Sequence, residues 1–321
     1  MNDEFAFDGE FDALRGGLVA HCYRMIGSYH DAEDVVQEVY LRARKGLAAF
    51  EGRSSVQTWL YRIATNACLT ALKHRSRRVI PSGLGAPADD PEAPVGDRLS
   101  VSWLEPLPEA ALARAGVSDP VHVVLERESV RLAFVVALQY LPPRQRAVLL
   151  LYDVLAWKAQ EIAEALEISV PAVKSLLQRA RSRLAEVDPE LSGPPVPEEV
   201  ERDLLDRWIQ AFEASDIGAI EKLLRDDFAI EATPHTTWFK GIAVCLPFIE
   251  RRSLRRPGEL RLLATRANGQ PAAAAYRRDE FGAFVASHLV VLTVVGDRVA
   301  KSTNFHGADH VLAAGFPAVL S

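Results

Sequence analysis

Cysteine is scarce in this sequence, with three residues among 321. Cys22, Cys68 and Cys245 lie far apart and match no CxxC spacing. This spacing argues against a disulfide framework and against a zinc site, and it predicts three buried, reduced thiols. We therefore expect no metal, and nothing in the sequence indicates a cofactor.

Long apolar runs are also missing. Segments such as Leu289–Val295 are far too short to cross a bilayer, which takes about 20 residues. The first residues, MNDEFAFDGEFDALRG, are acidic and lack the basic and apolar parts of a secretory signal. We therefore expect a cytoplasmic protein with no membrane partner.

An excess of positive charge is the third feature that the sequence lacks. There are 37 Lys and Arg against 43 Asp and Glu, so the net charge is -6 and the pI is near 5.8. Residues 79–120 carry -5 and residues 188–321 carry -4, whereas 1–78 carry +1 and 121–187 carry +2. Local basic faces, rather than the bulk charge, would have to bind any polyanion.

Hydrophobic spacing predicts helices over residues 10–78. Asp31 is a plausible N-cap for one of them, and Ser54 or Ser55 for the next. Six prolines then follow within Pro81–Pro108. Proline at this density prevents a continuous helix and predicts a tether.

Helices resume at Val121. Two of them, Lys158–Leu166 and Val170–Val187, flank a connection of three residues, which is the helix-turn-helix signature. Further helices and then short alternating runs predict a C-terminal α+β domain, so the fold class is two all-α domains followed by an α+β domain. The predicted segments are residues 1–78, a linker at 79–120, residues 121–187, a linker at 188–197, and residues 198–321.

The second helix of the predicted helix-turn-helix carries a polar, basic face. It follows Ser169, a good N-cap, and in this motif the second helix enters the major groove of DNA. Gln and Arg can contact base edges there, while Lys neutralises phosphate. The alternative is a solvated amphipathic helix on a bundle. The candidate DNA-contacting side chains are Lys174, Ser175, Gln178, Arg179 and Arg181.

A second basic helix, within Ser54–Arg78, has a different chemistry. Trp59, Arg62 and Asn66 precede the tract KHRSRR. Aromatic and amide groups beside positive charge suit single-stranded nucleic acid, whose bases stack on rings and are read at their edges. The alternative for Trp59 is a place in the hydrophobic core.

Three segments follow one another around the proline-rich spacer: DAEDVVQEVYLRA, FEGRSSVQTWLYRIATNACLTALKHRSRR and LPPRQRAVLLLYDVLAWKAQEIAEALEISVPAVKSLLQRARSRL. They resemble regions 2 and 4 of the extracytoplasmic-function (ECF) class of sigma-70 family sigma factors, over nearly all of residues 10–187. The segment WLEPLP, Trp103–Pro108, is similar to one in the SigG-type group, whose members also carry a SnoaL-like extension. The resemblance implies a noncatalytic protein that binds core RNA polymerase and directs promoter recognition and transcription initiation.

The same resemblance implies roles for individual residues in region 2 (1–78) and region 4 (121–187). The positions where the class docks on the β′ clamp helices of core polymerase are Asp34, Gln37 and Glu38. The positions at the melted -10 element are Arg42, Trp59, Arg62 and Asn66, and Asn66 matches the residue that reads a flipped-out base. The positions that read the -35 duplex include Lys174, Ser175 and Arg179. Leu176 stands where some relatives have a basic residue, so their -35 sequence does not transfer.

Residues 198–321 resemble the SnoaL/NTF2-like α+β cone, in which helices close one side of a curved sheet around a pocket. WFKG, ANGQPAAAAY and NFHGADH carry this resemblance. We expect the domain to modulate the sigma regions, with a small ligand or a separate anti-sigma protein as a further partner. The candidate pocket residues are His235, Trp238, Tyr276 and His288.

Two other functions remain open. A helix-turn-helix repressor with a ligand-binding domain would bind duplex DNA tightly without polymerase. A SnoaL-type enzyme attached to a DNA-binding module would need a general base in its cavity. The candidates for that base are Glu231, His235, His288, His306 and Asp309.

Overall fold

The computed structural model describes residues 2–52, 54–74, 76–96, 100–112, 129–187, 196–254 and 256–320. The predicted start of region 4, at 121–128, and most of the predicted linker 188–197 lie outside these residues. By its internal contacts the chain divides into two compact units, Met1–Arg78 with Ala110–Leu191, and Val79–Glu109 with Ser192–Ser321. The structure thus groups most of the proline-rich segment, which we predicted to be a tether, with the C-terminal domain. We call residues 79–109 the strap.

Region 2 consists of three mutually packed helices, α1 (Asn2–Ile26), α2 (Tyr29–Gly46) and α3 (Val56–Ala71). Ser28 Oγ caps α2 by accepting a hydrogen bond from the third residue of the helix at 3.1 Å, so the predicted cap at Asp31 is wrong by one turn. Ser55 Oγ caps α3 in the same way at 3.1 Å. The short polar side chains therefore fix where the helices begin.

His21 lies at the centre of this bundle. It is fully buried, with Nε2 2.9 Å from Thr65 Oγ1 and its ring centre 5.4 Å from that of Tyr61. Burial, and next the positive charge of Arg24, lower the pKa of His21 from 6.5 to about 3. The folded protein therefore holds this imidazole neutral at physiological pH.

The unfolded chain takes up a proton at His21 below its usual pKa of 6.5, whereas the folded chain does so near 3. The contribution of the neutral His21 to the free energy of unfolding is therefore fully present above pH 6.5, and it declines as the pH falls toward 3. We expect His21 to account for a loss of about 2 kcal/mol in the free energy of unfolding between pH 8 and pH 5. Urea unfolding of the wild type and His21→Gln at both pH values measures this contribution, since His288 remains in both proteins. An equal pH dependence in the two would contradict it.

Region 4 belongs to the same unit as region 2. Its helices are α5 (Leu132–Gln139), α6 (Pro143–Leu149), α7 (Ala159–Leu166) and α8 (Val170–Val187), and a π-helical turn, Leu150–Val154, follows α6. A short helix, α4 (Glu109–Leu112), lies at the end of the strap. Helices α7 and α8 pack on each other and form the predicted helix-turn-helix.

The C-terminal unit contains helices α9 to α12 and a seven-stranded sheet. The helices are α9 (Glu198–Glu213), α10 (Ile217–Leu223), α11 (Ile242–Phe248) and α12 (Ala308–Ala313). The strands are β1 (Leu224–Thr233), β2 (Phe239–Lys240), β3 (Leu260–Ala267), β4 (Gln270–Arg278), β5 (Phe284–Val295), β6 (Arg298–His306) and β7 (Val319–Leu320). The strand order is β2-β1-β6-β5-β4-β3, with β7 on β5.

Strands β3 to β6 form an antiparallel meander, and β1 joins β6 in parallel. The tight connection between β3 and β4 is Asn268–Gly269, with φ of 55° and 65° at the two residues, which suits a two-residue hairpin turn. Alanines fill β4, and their small side chains let α9 pack closely against this strand. Trp208 and Phe212 of α9 supply much of the core there, and each buried side chain of this size contributes about 1.5–3 kcal/mol.

No helix in the described part of the chain is both long and apolar enough to cross a membrane.

Candidate nucleic-acid interfaces and C-terminal cavity

Helix α8 presents a polar face directly after a tight turn. Glu167 ends α7 in the left-handed conformation, with φ 54°, and Ser169 Oγ caps α8 by accepting a hydrogen bond from Ala172 N at 3.3 Å. Val173 and Ala180 are buried on one side of α8. The predicted DNA-contacting side chains are exposed on this helix, namely Lys174, Ser175, Gln178, Arg179 and Arg181.

Arg181 differs from the other four because it has acidic and aromatic neighbours. Its guanidinium hydrogen-bonds to Asp153 and lies 5.5 Å from the ring centre of Tyr152. The hydrogen bond to Asp153 raises the pKa of Arg181. To bind phosphate, the guanidinium of Arg181 would have to break its ion pair with Asp153 or bind both groups at once. Lys174 and Arg179 are therefore better placed for such contacts.

Trp59 on α3 is held mainly by other protein rings. It stacks on Phe50 with ring centres 4.8 Å apart and approaches Phe7 edge-on at 6.4 Å. A Cβ atom added at Gly46 would lie 3.3 Å from the indole, so a larger residue there would have to displace Trp59 by a few tenths of an ångström. The indole is half-buried, which agrees with the alternative that Trp59 belongs to the hydrophobic core. Its role at the -10 element stays a prediction.

Arg62 and Asn66 are exposed on α3, and both approach region 4 within the same unit. Asn66 Nδ2 donates to the carbonyl oxygen of Ala165 at 3.4 Å, and Arg62 lies 3.9 Å from the carboxylate of Glu167. Both partners belong to the end of α7. The groups predicted to read the -10 element thus share a surface with the helix-turn-helix.

The exposed side of α2 carries the residues predicted to dock on polymerase. Asp34, Gln37 and Glu38 are all exposed. Asp34 and Gln37 line a groove of about 450 Å³ between α1 and α2, where further acidic side chains lie. Glu38 pairs with Arg42 at 2.6 Å, one helical turn away. This ion pair thus links Glu38, a predicted polymerase contact, to Arg42, a predicted contact of the -10 element.

Arg146 connects region 4 to region 2. It is 3% exposed, and its guanidinium donates to the carbonyl oxygen of Met25 at the end of α1, to Gln139 Oε1 at 2.8 Å and to Leu141 O at 3.1 Å. Gln139 Nε2 also donates to the carbonyl oxygen of Arg24 at 3.4 Å. Burial lowers the pKa of Arg146 to about 10, which leaves it charged at neutral pH.

A cavity of about 280 Å³ lies in the C-terminal unit. Most of its wall is apolar, from α9, α11 and the sheet. His235, His288 and His306 also line it, with the ring of His306 centred 5.2 Å from His235 and 5.1 Å from His288. Among the described residues, no group of three or more His, Cys, Asp or Glu side chains is arranged to hold a metal ion.

His288 is the most deeply buried of these imidazoles. Burial lowers its pKa from 6.5 to about 3, with smaller contributions from His306 and Arg277. Its Nδ1 lies 3.1 Å from Ser287 Oγ. The imidazole is therefore neutral at physiological pH.

Glu231, a candidate general base, lines the cavity, but its carboxylate is already bound. Lys301 Nζ lies 2.7 Å from Oε1, and Thr303 Oγ1 donates to the same oxygen at 3.2 Å. The backbone N–H of Ser82, in the strap, donates to Oε2 at 3.0 Å. A carboxylate with these partners joins the strap to the sheet.

Three of the predicted residues do not line the cavity. Trp238 Nε1 donates to the carbonyl oxygen of Gly85, 2.9 Å away, so this indole holds the strap. Tyr276 is buried and its hydroxyl donates to Pro317 O at 2.7 Å, because strand alternation turns it away from the face that Arg277 occupies. Asp309, a candidate base, is exposed on α12. The sequence indicated His235, His288 and His306, which do line the cavity, but it did not indicate Arg252 or Arg277.

The strap is hydrogen-bonded to the rest of its unit at several of its described residues. Backbone hydrogen bonds join Ala88 to Trp238 at 2.8 Å and Thr236 to Gly96 at 2.7 Å. At its other end, Leu107 exchanges hydrogen bonds with the β3–β4 turn, through the backbone N–H of Asn268 at 2.8 Å and its side-chain oxygen at 2.9 Å. Proline prevents a continuous helix in the strap, and these bonds satisfy some of its backbone groups.

Known protein families and known proteins match most of this chain. The model of sigma-70 region 2 matches residues 11–78, and the model of sigma-70 region 4 matches residues 131–184. Over 304 residues the chain is 50% identical to the ECF RNA polymerase sigma factor SigG of Mycobacterium tuberculosis H37Rv, an alignment that covers 93% of this chain and 80% of that protein.

The crystal structure of the M. tuberculosis extracytoplasmic function sigma factor SigJ aligns with a TM-score of 0.59 and 24% identity, covering 97% of this chain and 99% of that one. The predicted fold class, two helical sigma regions followed by an α+β domain, is confirmed. The identity and the coverage of the SigG alignment are high enough to assign the family. The chain belongs to the family of extracytoplasmic-function RNA polymerase sigma factors.

Proposed function

We propose that this sigma factor directs RNA polymerase to promoters through three separate faces. The exposed side of α2, with Asp34, Gln37 and Glu38, binds the β′ clamp helices of core polymerase. The outer face of α3, with Asn66 and its basic neighbours, captures the single-stranded -10 element. Helix α8 reads the -35 duplex in the major groove.

The polar face of α8 is the observation that carries this proposal. Lys174, Gln178 and Arg179 are exposed on a capped helix that follows a tight turn, while its other side is buried. A net charge of -6 gives weak non-specific attraction to DNA, so polymerase would supply much of the affinity. This agrees with a protein that finds promoters as part of a larger complex.

The promoter-binding form must differ from the described arrangement of the first unit. Asn66 faces the Ala165 carbonyl and Arg62 faces Glu167, so region 4 occupies part of the surface that a -10 strand would use. We infer that region 4 moves away from region 2 when both bind the polymerase. Contacts with polymerase and DNA would then replace the contacts between the regions.

The C-terminal unit acts in this proposal as a noncatalytic regulator. The strap joins region 2 to region 4 in sequence, and it packs on the C-terminal sheet. The carboxylate of Glu231 is bound by Lys301, Thr303 and the strap, which does not suit a general base. Tight or loose binding of the strap would set how far regions 2 and 4 can separate.

Run-off transcription with bacterial core polymerase tests the role of α8. We expect the double variant Lys174→Ala, Arg179→Ala to reduce transcription from a selected promoter by roughly 10- to 100-fold, because each base or phosphate contact contributes about 1–3 kcal/mol. Ser182→Ala, exposed on the same helix, serves as the control and should retain activity. Full activity of the double variant would contradict the proposal.

Full-length variants suit this experiment better than a truncation. Ending the chain near residue 190 would remove the sheet on which the strap packs, and it would expose strap residues such as Leu104 and Leu107, which are now fully buried.

The run-off assay also tests the alternative that the protein is a repressor, since a repressor would bind duplex DNA tightly without polymerase and would start no transcript.

A further inference from the structure

The cavity of the C-terminal unit has a wall rich in aromatic side chains. Trp208 stacks on Phe212 with ring centres 4.4 Å apart, and the rings of Phe239 and Phe248 are centred 4.3 Å apart. All four side chains line the cavity, together with aliphatic ones. Its volume of about 280 Å³ is close to the lower end of the range of roughly 300–1,000 Å³ that small-molecule sites occupy. Such a wall favours a small aromatic molecule, which would bury apolar area and gain ring contacts.

The charged side chains of the cavity already interact with other groups of the protein. Among the described lining residues they are Glu231, Arg252 and Arg277. Lys301 Nζ lies 2.7 Å from Glu231 Oε1, and the Arg252 guanidinium donates to the carbonyl oxygen of Glu92 at 3.2 Å. Arg277 also has an interaction partner within the protein. A charged ligand would have to displace such partners to compensate for its lost hydration, whereas an uncharged ligand would not.

His288 supplies a hydrogen-bonding group that the described part of the protein does not use. Its side chain lines the cavity, and the residue is only 8% exposed. Nδ1 lies 3.1 Å from Ser287 Oγ, whereas no described residue hydrogen-bonds to Nε2. His235 and His306, which also line the cavity, have other partners within the protein. A buried polar atom such as Nε2 costs free energy until a partner pairs with it, so it points to a ligand.

We propose that this cavity binds a small uncharged aromatic molecule with one hydroxyl group, whose ring packs against Trp208 and Phe248 and whose hydroxyl pairs with His288 Nε2. The imidazole is neutral at physiological pH, so Nε2 donates or accepts according to the orientation of the Ser287 hydroxyl. A hydroxyl group suits both cases, because it can donate and accept. A carboxylate or an ammonium group suits only one of them and loses more hydration in an apolar cavity.

The strap forms part of the wall of this site. Val95 lines the cavity. Two further lining residues hold the strap, since Thr237 Oγ1 donates to Pro94 O at 2.8 Å and the Arg252 guanidinium donates to Glu92 O at 3.2 Å. A bound molecule therefore contacts the segment that joins region 2 to region 4 in sequence. The effect of the ligand on transcription rests on the proposed regulatory function, whereas binding itself does not.

Calorimetric titration of the full-length protein with para-propylphenol, para-propylbenzoate and para-propylbenzylamine tests the site. These probes share one aromatic body, and at neutral pH they are uncharged, negative and positive, respectively. We expect para-propylphenol to bind roughly tenfold or more tightly than either of the others. Equal affinities for the three, or no binding of para-propylphenol, would overturn the proposal without any variant.

His288→Phe gives a second test, because phenylalanine keeps a ring at this position but makes no hydrogen bond. We expect it to weaken para-propylphenol binding roughly 5- to 30-fold and to leave the binding of propylbenzene, which has no hydroxyl, within about threefold. The matched control is His310→Phe, since His310 does not line the cavity and packs edge-on against Phe305 with ring centres 5.8 Å apart. An equal effect of both substitutions on para-propylphenol would overturn the assignment of His288.

Hydrogen exchange and transcription test the connection to the strap. With saturating para-propylphenol, the amides of Ala88 and Gly96 should exchange more slowly, because the ligand adds contacts at Val95. Unchanged exchange despite measured binding would overturn the part played by the strap. Run-off transcription with and without para-propylphenol then separates the two proposals. Binding without any change in transcript level would leave the ligand site standing and would count against the regulatory function.

Discussion

Replacing Arg146 with methionine should lower the free energy of unfolding of the first unit by about 3–5 kcal/mol. Arg146 is 3% exposed, and its guanidinium donates to Gln139 Oε1, Leu141 O and the Met25 carbonyl. Methionine fills a similar volume but donates no hydrogen bond, so these buried acceptors lose their donor. The cost of leaving such groups without a partner exceeds the gain from removing a buried charge.

The same substitution should loosen the contact between the two helical regions. Met25 lies at the end of α1 in region 2, whereas Gln139 and Leu141 lie in region 4, and Arg146 joins them. We therefore expect Arg146→Met to raise the affinity of the free protein for single-stranded -10 DNA, because region 4 then covers the surface around Asn66 less often. The unfolded fraction must be measured at the same temperature so that this gain is separated from unfolding.

Arg144→Met is the matched control for Arg146→Met. Arg144 lies two residues earlier on α6 and is exposed, so its replacement should change the free energy of unfolding by less than about 0.5 kcal/mol. Urea unfolding followed by circular dichroism measures both variants, and the helical first unit contributes most of that signal. Equal stability of the two variants would show that the buried contacts of Arg146 contribute little.

Helix α8 was largely predictable, because its determinants are local. A cap at Ser169, apolar spacing on one side and polar residues on the other specify a helix and its two faces without reference to other elements. The cap of α2 was predicted at the wrong residue, since both Ser28 and Asp31 can accept the required hydrogen bond. The structure selects Ser28, which precedes Asp31 by three residues.

Contacts between distant segments could not be predicted in this way. Arg144 and Arg146 look alike in the sequence, yet one is exposed and the other lies buried against the end of α1. The prolines of the strap correctly excluded a continuous helix, but they do not reveal which groups satisfy its backbone. Residues 234–238 and the Asn268 turn provide those partners. Long-range pairing of this kind depends on the complete fold.

Residue type alone predicted some of the cavity residues but not others. Histidines at 235, 288 and 306 were candidates because of their chemistry, and they line the cavity. Tyr276 was a candidate for the same kind of reason but points away, while its neighbour Arg277 lines the site. Strand alternation explains the difference, and applying it from Ala275 onward would have selected Arg277.

Asn66→Ala should reduce promoter opening by roughly 10- to 100-fold, because the loss of contacts to a flipped base costs about 1–3 kcal/mol. The effect should appear in transcription from double-stranded promoters and in binding of single-stranded -10 DNA. Binding of a -35 duplex should be unchanged, because α8 is intact in this variant. Thr70→Ala is the control, since Thr70 lies one turn further along the exposed side of α3 and its hydroxyl donates to the Asn66 carbonyl at 2.9 Å.

A template that already carries an open -10 bubble separates two explanations of a loss in Asn66→Ala. If Asn66 reads a flipped base, the defect should persist on this template, because the base still has to be bound. If Asn66 only holds region 4 through the Ala165 carbonyl, the variant should open more easily and its activity should rise on both templates. A rise in activity would therefore show that Asn66 serves to hold region 4 against region 2. A loss of activity would show that Asn66 binds the -10 element. We expect the loss, because a single amide–carbonyl contact at 3.4 Å is weak compared with the contacts to a captured base.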